Sequence, residues 1–198
     1  MRTRKRDEVK CTLGGNEVLS HISRLYGAEA TEAVKGYTPM YCSGSFTEVY
    51  LVKPQLLEAV EAVLRSGRIP YFAGMYCGRL RSAKPEFIPS HVLVERIYEF
   101  LGHPIRAVKA IEQGIKVILY GRDLLAESVA SCFEPVELGE VVSVIGPDGY
   151  VYAIGLSTTS SCEEIAKLRK KDVVVRSVFD LGWYLRGGTV PREAKYKL

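Results

Sequence analysis

The sequence lacks the features that mark membrane-spanning and secreted proteins. Its 198 residues contain no uninterrupted apolar stretch that approaches the roughly 20 residues a membrane helix needs. The basic residues 1–10 are not followed by the apolar segment of a secretion signal. We therefore expect a protein that is neither secreted nor embedded in a membrane.

Paired cysteines and closely spaced histidines are also missing. The chain has five cysteines and three histidines, scattered as Cys11, Cys42, Cys77, Cys132, Cys162, His21, His91 and His103. The odd cysteine number and the absence of a C-x-x-C pair argue against disulfides and against structural zinc. There is no P-loop, no dinucleotide-binding glycine motif and no nucleophile elbow. We predict no catalytic residue, no metal ligand and no cofactor, although a site assembled from distant residues stays open.

The first half of the chain mixes helix and strand patterns. Apolar residues recur at helical spacing in 17–26, which Gly27 ends, and again in 55–66. Residues 48–52 are β-branched and aromatic, which is typical of a strand. Ser90 is a suitable N-cap for a helix over 91–101. Residues 1–112 are therefore predicted to form an α/β domain.

The second half favours a small β-structure. Two strands, 140–145 and 150–156, flank a Gly-Pro-Asp-Gly turn, and 173–175 and 179–185 supply further strands. We also predict a strand over 116–120 and a helix over 123–133. Such a set of elements predicts a closed or half-closed barrel over 113–190, followed by a tail, 191–198. The fold class is then α+β.

A run of cations is the sharpest local feature. Lys167, Arg169, Lys170 and Lys171 lie between the predicted hairpin and the last strands, where they can meet phosphate oxygens. Arg122 and Arg176 are candidates to extend this patch. The alternative is a solvated surface run that nearby acidic residues neutralise, because the net charge of the chain is only +4.

Several segments carry a resemblance to known proteins. Residues 136–144 and 149–157 resemble the PUA domain, an RNA-binding module. Five further segments recur in the same order in one two-domain family, the ribosome-biogenesis factors of the "Nip seven" type: 49–52, 74–80, 91–92, 119–121 and 180–186.

That resemblance implies a non-catalytic factor in large-subunit assembly and pre-ribosomal RNA processing. It implies a PUA domain that binds RNA, with a preference for uridine-rich single strands, and an N-terminal domain that binds other assembly proteins. The RNA contacts of the family match Lys167, Arg169, Lys170 and Lys171. The compact size points to an archaeal, cytoplasmic member; a eukaryotic one would be nucleolar.

Two other functions stay open. PUA modules often accompany RNA-modifying enzymes, so the chain could be such an enzyme or its accessory subunit. Alternatively, the barrel could serve protein binding alone. These three hypotheses differ in whether RNA is retained and whether it is chemically changed.

Overall fold

A computed structural model describes residues 9–44, 46–70 and 73–186 of the chain. It divides into two compact units, Met1–Leu93 and Val94–Leu198. This division falls earlier in the chain than the boundary at 112/113 that we expect from the sequence. The basic residues 1–8 and the predicted tail 191–198 lie outside the described residues.

The N-terminal unit is built on a five-stranded antiparallel sheet with the order β1-β2-β3-β4-β5. Its elements are β1 (Lys10–Leu13), α1 (Glu17–Tyr26), a 3-10 helix (Ala28–Val34), β2 (Thr38–Ser43), β3 (Thr47–Val52), α2 (Pro54–Arg65), β4 (Met75–Leu80) and β5 (Phe87–Pro89). Helix α3 (His91–Leu101) follows, and the division between the units falls within it.

The local signals read from the N-terminal sequence are confirmed. Helix α1 buries Val18, Ile22 and Leu25 on one face, and Gly27 ends it with a positive φ of 91°. The Ser90 hydroxyl accepts a hydrogen bond of 3.1 Å from the Leu93 amide, as expected of an N-cap. Amphipathic spacing and capping therefore suffice to define these helices.

The C-terminal unit contains a six-stranded sheet with the order β7-β11-β10-β9-β6-β8, which curls into a half-barrel. Its elements are β6 (Ala107–Ala110), α4 (Glu112–Leu119), β7 (Leu124–Leu125), a 3-10 helix (Ala126–Ser128), β8 (Val129–Phe133), β9 (Val141–Ile145), β10 (Val151–Ser157), α5 (Cys162–Ile165), β11 (Val173–Asp180) and α6 (Gly182–Arg186). Strands β6 and β9 pair in parallel, and the other neighbours are antiparallel. The predicted α+β class is confirmed.

The predicted hairpin is also confirmed. The Gly146 amide donates to the Tyr150 carbonyl at 2.9 Å, and Gly149 closes the turn at a φ of 88°. Strands β9 and β10 supply apolar side chains, such as Val142, Val144 and Ala153, to the core of the half-barrel.

Three predicted elements of this unit are wrong. Residues 116–120 lie mostly in α4, and 123–133 form β7, a 3-10 turn and β8 rather than a helix. A short apolar run suits a buried strand and a buried helix equally, and here Ile115 and Ile118 reach the core at helical spacing. Residues 129–133 are strand because they complete the ladder beside β6. The predicted strand 179–185 ends at Asp180, where the chain turns into α6.

The expectation that disulfides are absent is also wrong. Cys11 and Cys42 lie directly opposite each other on β1 and β2 and form one disulfide, and Cys132 and Cys162 form another. The topology creates both pairs from residues about thirty positions apart, so no local spacing could reveal them. Cys77 is the free cysteine of the described chain, and burial raises the pKa of its thiol.

Within the described residues, no helix is long and apolar enough to cross a membrane, and no group of three or more His, Cys, Asp or Glu residues is placed to hold a metal ion.

Candidate nucleic-acid interface

Residues 167–171, here called the basic segment, connect α5 to β11, and their backbone is held in place. The Glu127 amide donates to the Lys170 carbonyl at 3.0 Å, and the Ala126 amide donates to the Asp172 carbonyl at 2.9 Å. Leu168, which interrupts the cations in the sequence, turns inward and packs against the core of the half-barrel. An apolar anchor and a backbone ladder therefore fix this segment, and its charged side chains point to solvent.

The three lysines of the basic segment differ from its arginine. Lys167, Lys170 and Lys171 are exposed, and in the part of the chain that the structure describes none of them forms an ion pair. Lys167 lies near Glu164, whose pKa is lowered chiefly by hydrogen bonds from the Ser160 amide and hydroxyl and only weakly by the lysine. These three ammonium groups remain available for phosphate oxygens.

Arg169, in contrast, is already paired. Its guanidinium donates to both carboxylate oxygens of Asp172, at 3.3 Å from Nε and 3.1 Å from Nη2. The Arg169 amide also donates to this carboxylate at 2.9 Å. The Arg169 side chain and amide together hold the pKa of Asp172 below its usual value. The alternative interpretation of a surface run that acidic residues neutralise therefore holds for Arg169, which is one cation of the four.

The two additional candidates lie beside a different part of β11. Arg176 is exposed on that strand, and Arg122 is exposed in the connection from α4 to β7. The Ser177 amide donates to the Asp123 carboxylate at 2.9 Å, so the two arginines sit on adjoining segments. About 17 Å of extended chain separates Lys171 from Arg176 at the usual rise per residue. The structure therefore places these arginines as a second group, further along the strand.

The segment 180–186, one of those that carry the family resemblance, forms a corner of the fold that specific contacts hold in place. The Arg186 guanidinium donates to the buried Asp180 carboxylate at 2.9 and 3.1 Å, and also to the Leu119 carbonyl. Gly182 passes so close to the Leu119 carbonyl that a side chain there would collide with it. These contacts fix the corner between β11 and α6 on the end of α4.

The histidines do not converge. His21 on α1 contacts Arg24 at 3.3 Å and stacks on Phe87, and burial, followed by the Arg24 charge, lowers its pKa. His103 lies in the loop after α3, with Nδ1 3.0 Å from the Leu101 carbonyl oxygen. His91 begins α3. The three rings belong to separate parts of the chain.

Comparison with known proteins agrees with this geometry. Residues 106–189 match the family model of the UPF0113 PUA domain. The C-terminal unit is thus a PUA domain, which is an RNA-binding module. More particularly, this segment is similar to the UPF0113 family, and the chain is similar to archaeal PUA proteins. A "UPF0113 protein" of Aeropyrum pernix is 29% identical over 169 residues, which cover 83% of each chain.

Solved structures share the fold. A hypothetical protein from Pyrococcus horikoshii superimposes with a TM-score of 0.61 at 15% identity, over 88% of this chain and 98% of that one. A conserved PUA domain protein from Thermoplasma acidophilum gives 0.60 at 16% identity, over 87% and 95%. A PUA domain from Aeropyrum pernix, solved with tartrate, gives 0.54 at 12% identity, over 88% of each chain. At these identities the likeness establishes the fold alone.

Proposed function

We propose that the protein binds single-stranded RNA through its PUA domain, and that Lys167, Lys170 and Lys171 contact the phosphates. One observation carries the proposal: three ammonium groups that form no ion pair with any described residue stand on a short segment whose backbone is anchored to the half-barrel. Arg122 and Arg176 extend the positive surface along β11. Arg169 contributes only when it leaves Asp172.

The physical consequence is a salt-dependent affinity. Each phosphate that a cation neutralises releases condensed counterions, which for single strands contributes about −0.7 to the slope of log affinity against log salt. Three lysines then give a slope of about −2. Four equivalent cations, as the sequence alone predicts, would give about −3.

The proposed biological role is non-catalytic participation in ribosome assembly. The "Nip seven" resemblance supports this role, with precursor ribosomal RNA bound by the PUA domain and other assembly proteins bound by the N-terminal unit. The cytoplasm is the corresponding compartment for an archaeal member. The rival role is that of an RNA-modifying enzyme or its accessory subunit.

Two acidic side chains of the C-terminal unit accept structural hydrogen bonds. A hollow of about 450 Å³ in the C-terminal unit is lined by three acids, Glu95, Glu99 and Asp148, and by His103. Glu95 accepts a hydrogen bond from the Val151 amide at 3.0 Å, and Asp148 accepts bonds from the Tyr152 hydroxyl and the Tyr150 amide. Glu95 and Asp148 thus have structural roles, which favours the non-catalytic proposal for these two acids. Finding a new modified nucleoside in transcript RNA incubated with the protein would instead support the enzyme.

RNA binding is tested by fluorescence anisotropy with a labelled uridine 10-mer. The triple variant Lys167→Ala, Lys170→Ala, Lys171→Ala should lose most of its affinity at 50 mM salt, and its salt slope should become shallower by about 2. The matched control removes three exposed lysines of the N-terminal unit, Lys35, Lys53 and Lys84, with the same change in net charge. Equal losses in the two triple variants, or a salt-independent wild type, would refute the assignment.

The role in assembly is tested separately in cells. The tagged protein should sediment with large-subunit precursors and crosslink to their RNA, and the triple PUA variant should lose the crosslink. Crosslinking only to RNA unrelated to the ribosome would support the RNA-binding function and contradict the assembly role.

A further inference from the structure

A hollow lies directly beside the basic segment. It has a volume of about 320 Å³, and its walls come from β8 on one side and from α5 and the basic segment on the other. Apolar groups form much of the lining: Val129, Ile165, Leu168 and the Cys132–Cys162 disulfide. Lys170 and Glu127 also line it, so one cation and one carboxylate stand next to this apolar surface, and Lys167 and Lys171 lie on the adjoining basic segment.

The hollow runs along an unpaired strand edge. Strand β8 ends the described sheet and pairs only with β6. Successive residues of a strand point to opposite faces, yet the consecutive residues 129–132 all line the hollow. Such a lining places the hollow along the edge of β8, on the side away from β6. Backbone amides and carbonyls of an edge strand are available for hydrogen bonds.

We propose that this hollow receives one unstacked base of the RNA strand whose phosphates the basic segment binds, an inference that rests on the proposed function. The base packs against Leu168, Ile165 and the disulfide, and its polar edge meets the open backbone of β8. Lys170 then contacts the phosphate of the same nucleotide.

Size and charge favour this occupant. The volume is at the lower end of the range of about 300–1,000 Å³ typical of small-molecule pockets, which suits one nucleotide rather than a peptide segment. The cations beside it attract a polyanion, and sequence-tolerant recognition of single strands commonly combines a positive surface with a platform for bases. A duplex, whose bases are stacked and paired, cannot present one to this hollow without unpairing.

The experiment fills the hollow while leaving every charge in place. Ala166 and Ala130 are exposed residues on its opposite walls, so Ala166→Phe and Ala130→Phe each place a ring in it. Both positions tolerate the change, because Ala166 has helical backbone angles and aromatic residues suit strands. Gln113→Phe, at an exposed position of α4 away from the hollow, is the matched control. The melting temperature of each variant checks its folding.

Affinity is measured for a uridine 10-mer and for an abasic oligomer of the same length. The wild type and Gln113→Phe should bind the uridine oligomer at least about fivefold more tightly, the lower end of what one stacked base contributes. In Ala166→Phe and Ala130→Phe this ratio should fall towards one, while the salt slope stays at the wild-type value. An unchanged ratio in both filled variants overturns the base site. If the wild type binds neither oligomer, or binds without salt dependence, the proposed function itself fails.

Discussion

Releasing Arg169 from Asp172 should strengthen RNA binding. Asp172→Asn removes the charge that holds the guanidinium, and Arg169 then becomes a fourth free cation of the basic segment. Asparagine is the right substitution because its side-chain oxygen can still accept the 2.9 Å hydrogen bond from the Arg169 amide, which shapes the turn.

The magnitude follows from counterion release. One added contact steepens the slope of log affinity against log salt by about 0.7, from about −2.1 to about −2.8. If this contact contributes nothing at 1 M salt, the variant binds about threefold more tightly at 200 mM and about eightfold more tightly at 50 mM. Raising the salt from 50 to 200 mM then costs the wild type about 18-fold in affinity and the variant about 48-fold.

The assay is a salt titration of uridine 10-mer binding for the wild type, Asp172→Asn, Arg169→Ala and the double variant. Arg169→Ala should change wild-type affinity little, since the arginine is already neutralised, and should cancel the gain of Asp172→Asn. The reasoning fails if Asp172→Asn leaves affinity and slope unchanged, or if Arg169→Ala alone costs as much as Lys170→Ala.

Three further predictions concern stability, each measured by urea unfolding. Replacing Cys132 and Cys162 by serine should cost about 3–4 kcal/mol, the loop-closure value for their sequence separation of 30, and reductant should destabilise the variant less than the wild type, because only Cys11–Cys42 remains to be reduced. Tyr98→Phe should cost about 1–3 kcal/mol, because the buried Tyr98 hydroxyl lies 2.6 Å from the Ser143 hydroxyl and donates to the Ile105 carbonyl at 2.7 Å. Burial raises the pKa of Tyr98, so the wild type should also lose stability as the pH rises above about 10, where this tyrosine ionises only in the unfolded chain, and the variant should lose less. Arg186→Met should cost about 3 kcal/mol by leaving the buried Asp180 carboxylate without its main partner, and an unchanged unfolding midpoint would show that Asp180 is stabilised elsewhere.

Local signals in the sequence predict those elements whose determinants are local. The amphipathic spacing and Gly27 define α1, the Ser90 hydroxyl begins α3, and the Gly-Pro-Asp-Gly turn defines the β9–β10 hairpin. The helix predicted over 123–133 is wrong because the conformation of these residues is set by strands far away in the sequence: β7 pairs with β11, and β8 pairs with β6. The disulfides were not predicted for the same reason, because each joins cysteines that only the fold brings together.

The candidate site shows the same difference between features with local determinants and features that depend on distant residues. The composition of 167–171 predicts where the positive charge lies, and the exposure of the three lysines agrees with it. The pairing of Arg169 with Asp172 has a weak local signal, because residues three apart in a turn can meet, but the sequence cannot tell which of several acids takes which cation. The hollow beside β8 has no local signal, since its walls are about thirty residues apart and meet only in the folded unit.

The anchoring of the basic segment bears on specificity as much as on affinity. Lysines in an unstructured run would neutralise phosphates wherever they lie, and the ordering of that run would oppose binding. Here the segment is ordered before RNA binds. Leu168 packs against the core, the backbone forms hydrogen bonds with residues 126 and 127, and the Cys132–Cys162 disulfide holds the preceding helix. Because the same residues form a wall of the hollow, a phosphate on Lys170 brings its own base to the β8 edge. Charge alone accepts any polyanion, whereas a cation that lines the hollow favours a polyanion whose bases are free to turn outward.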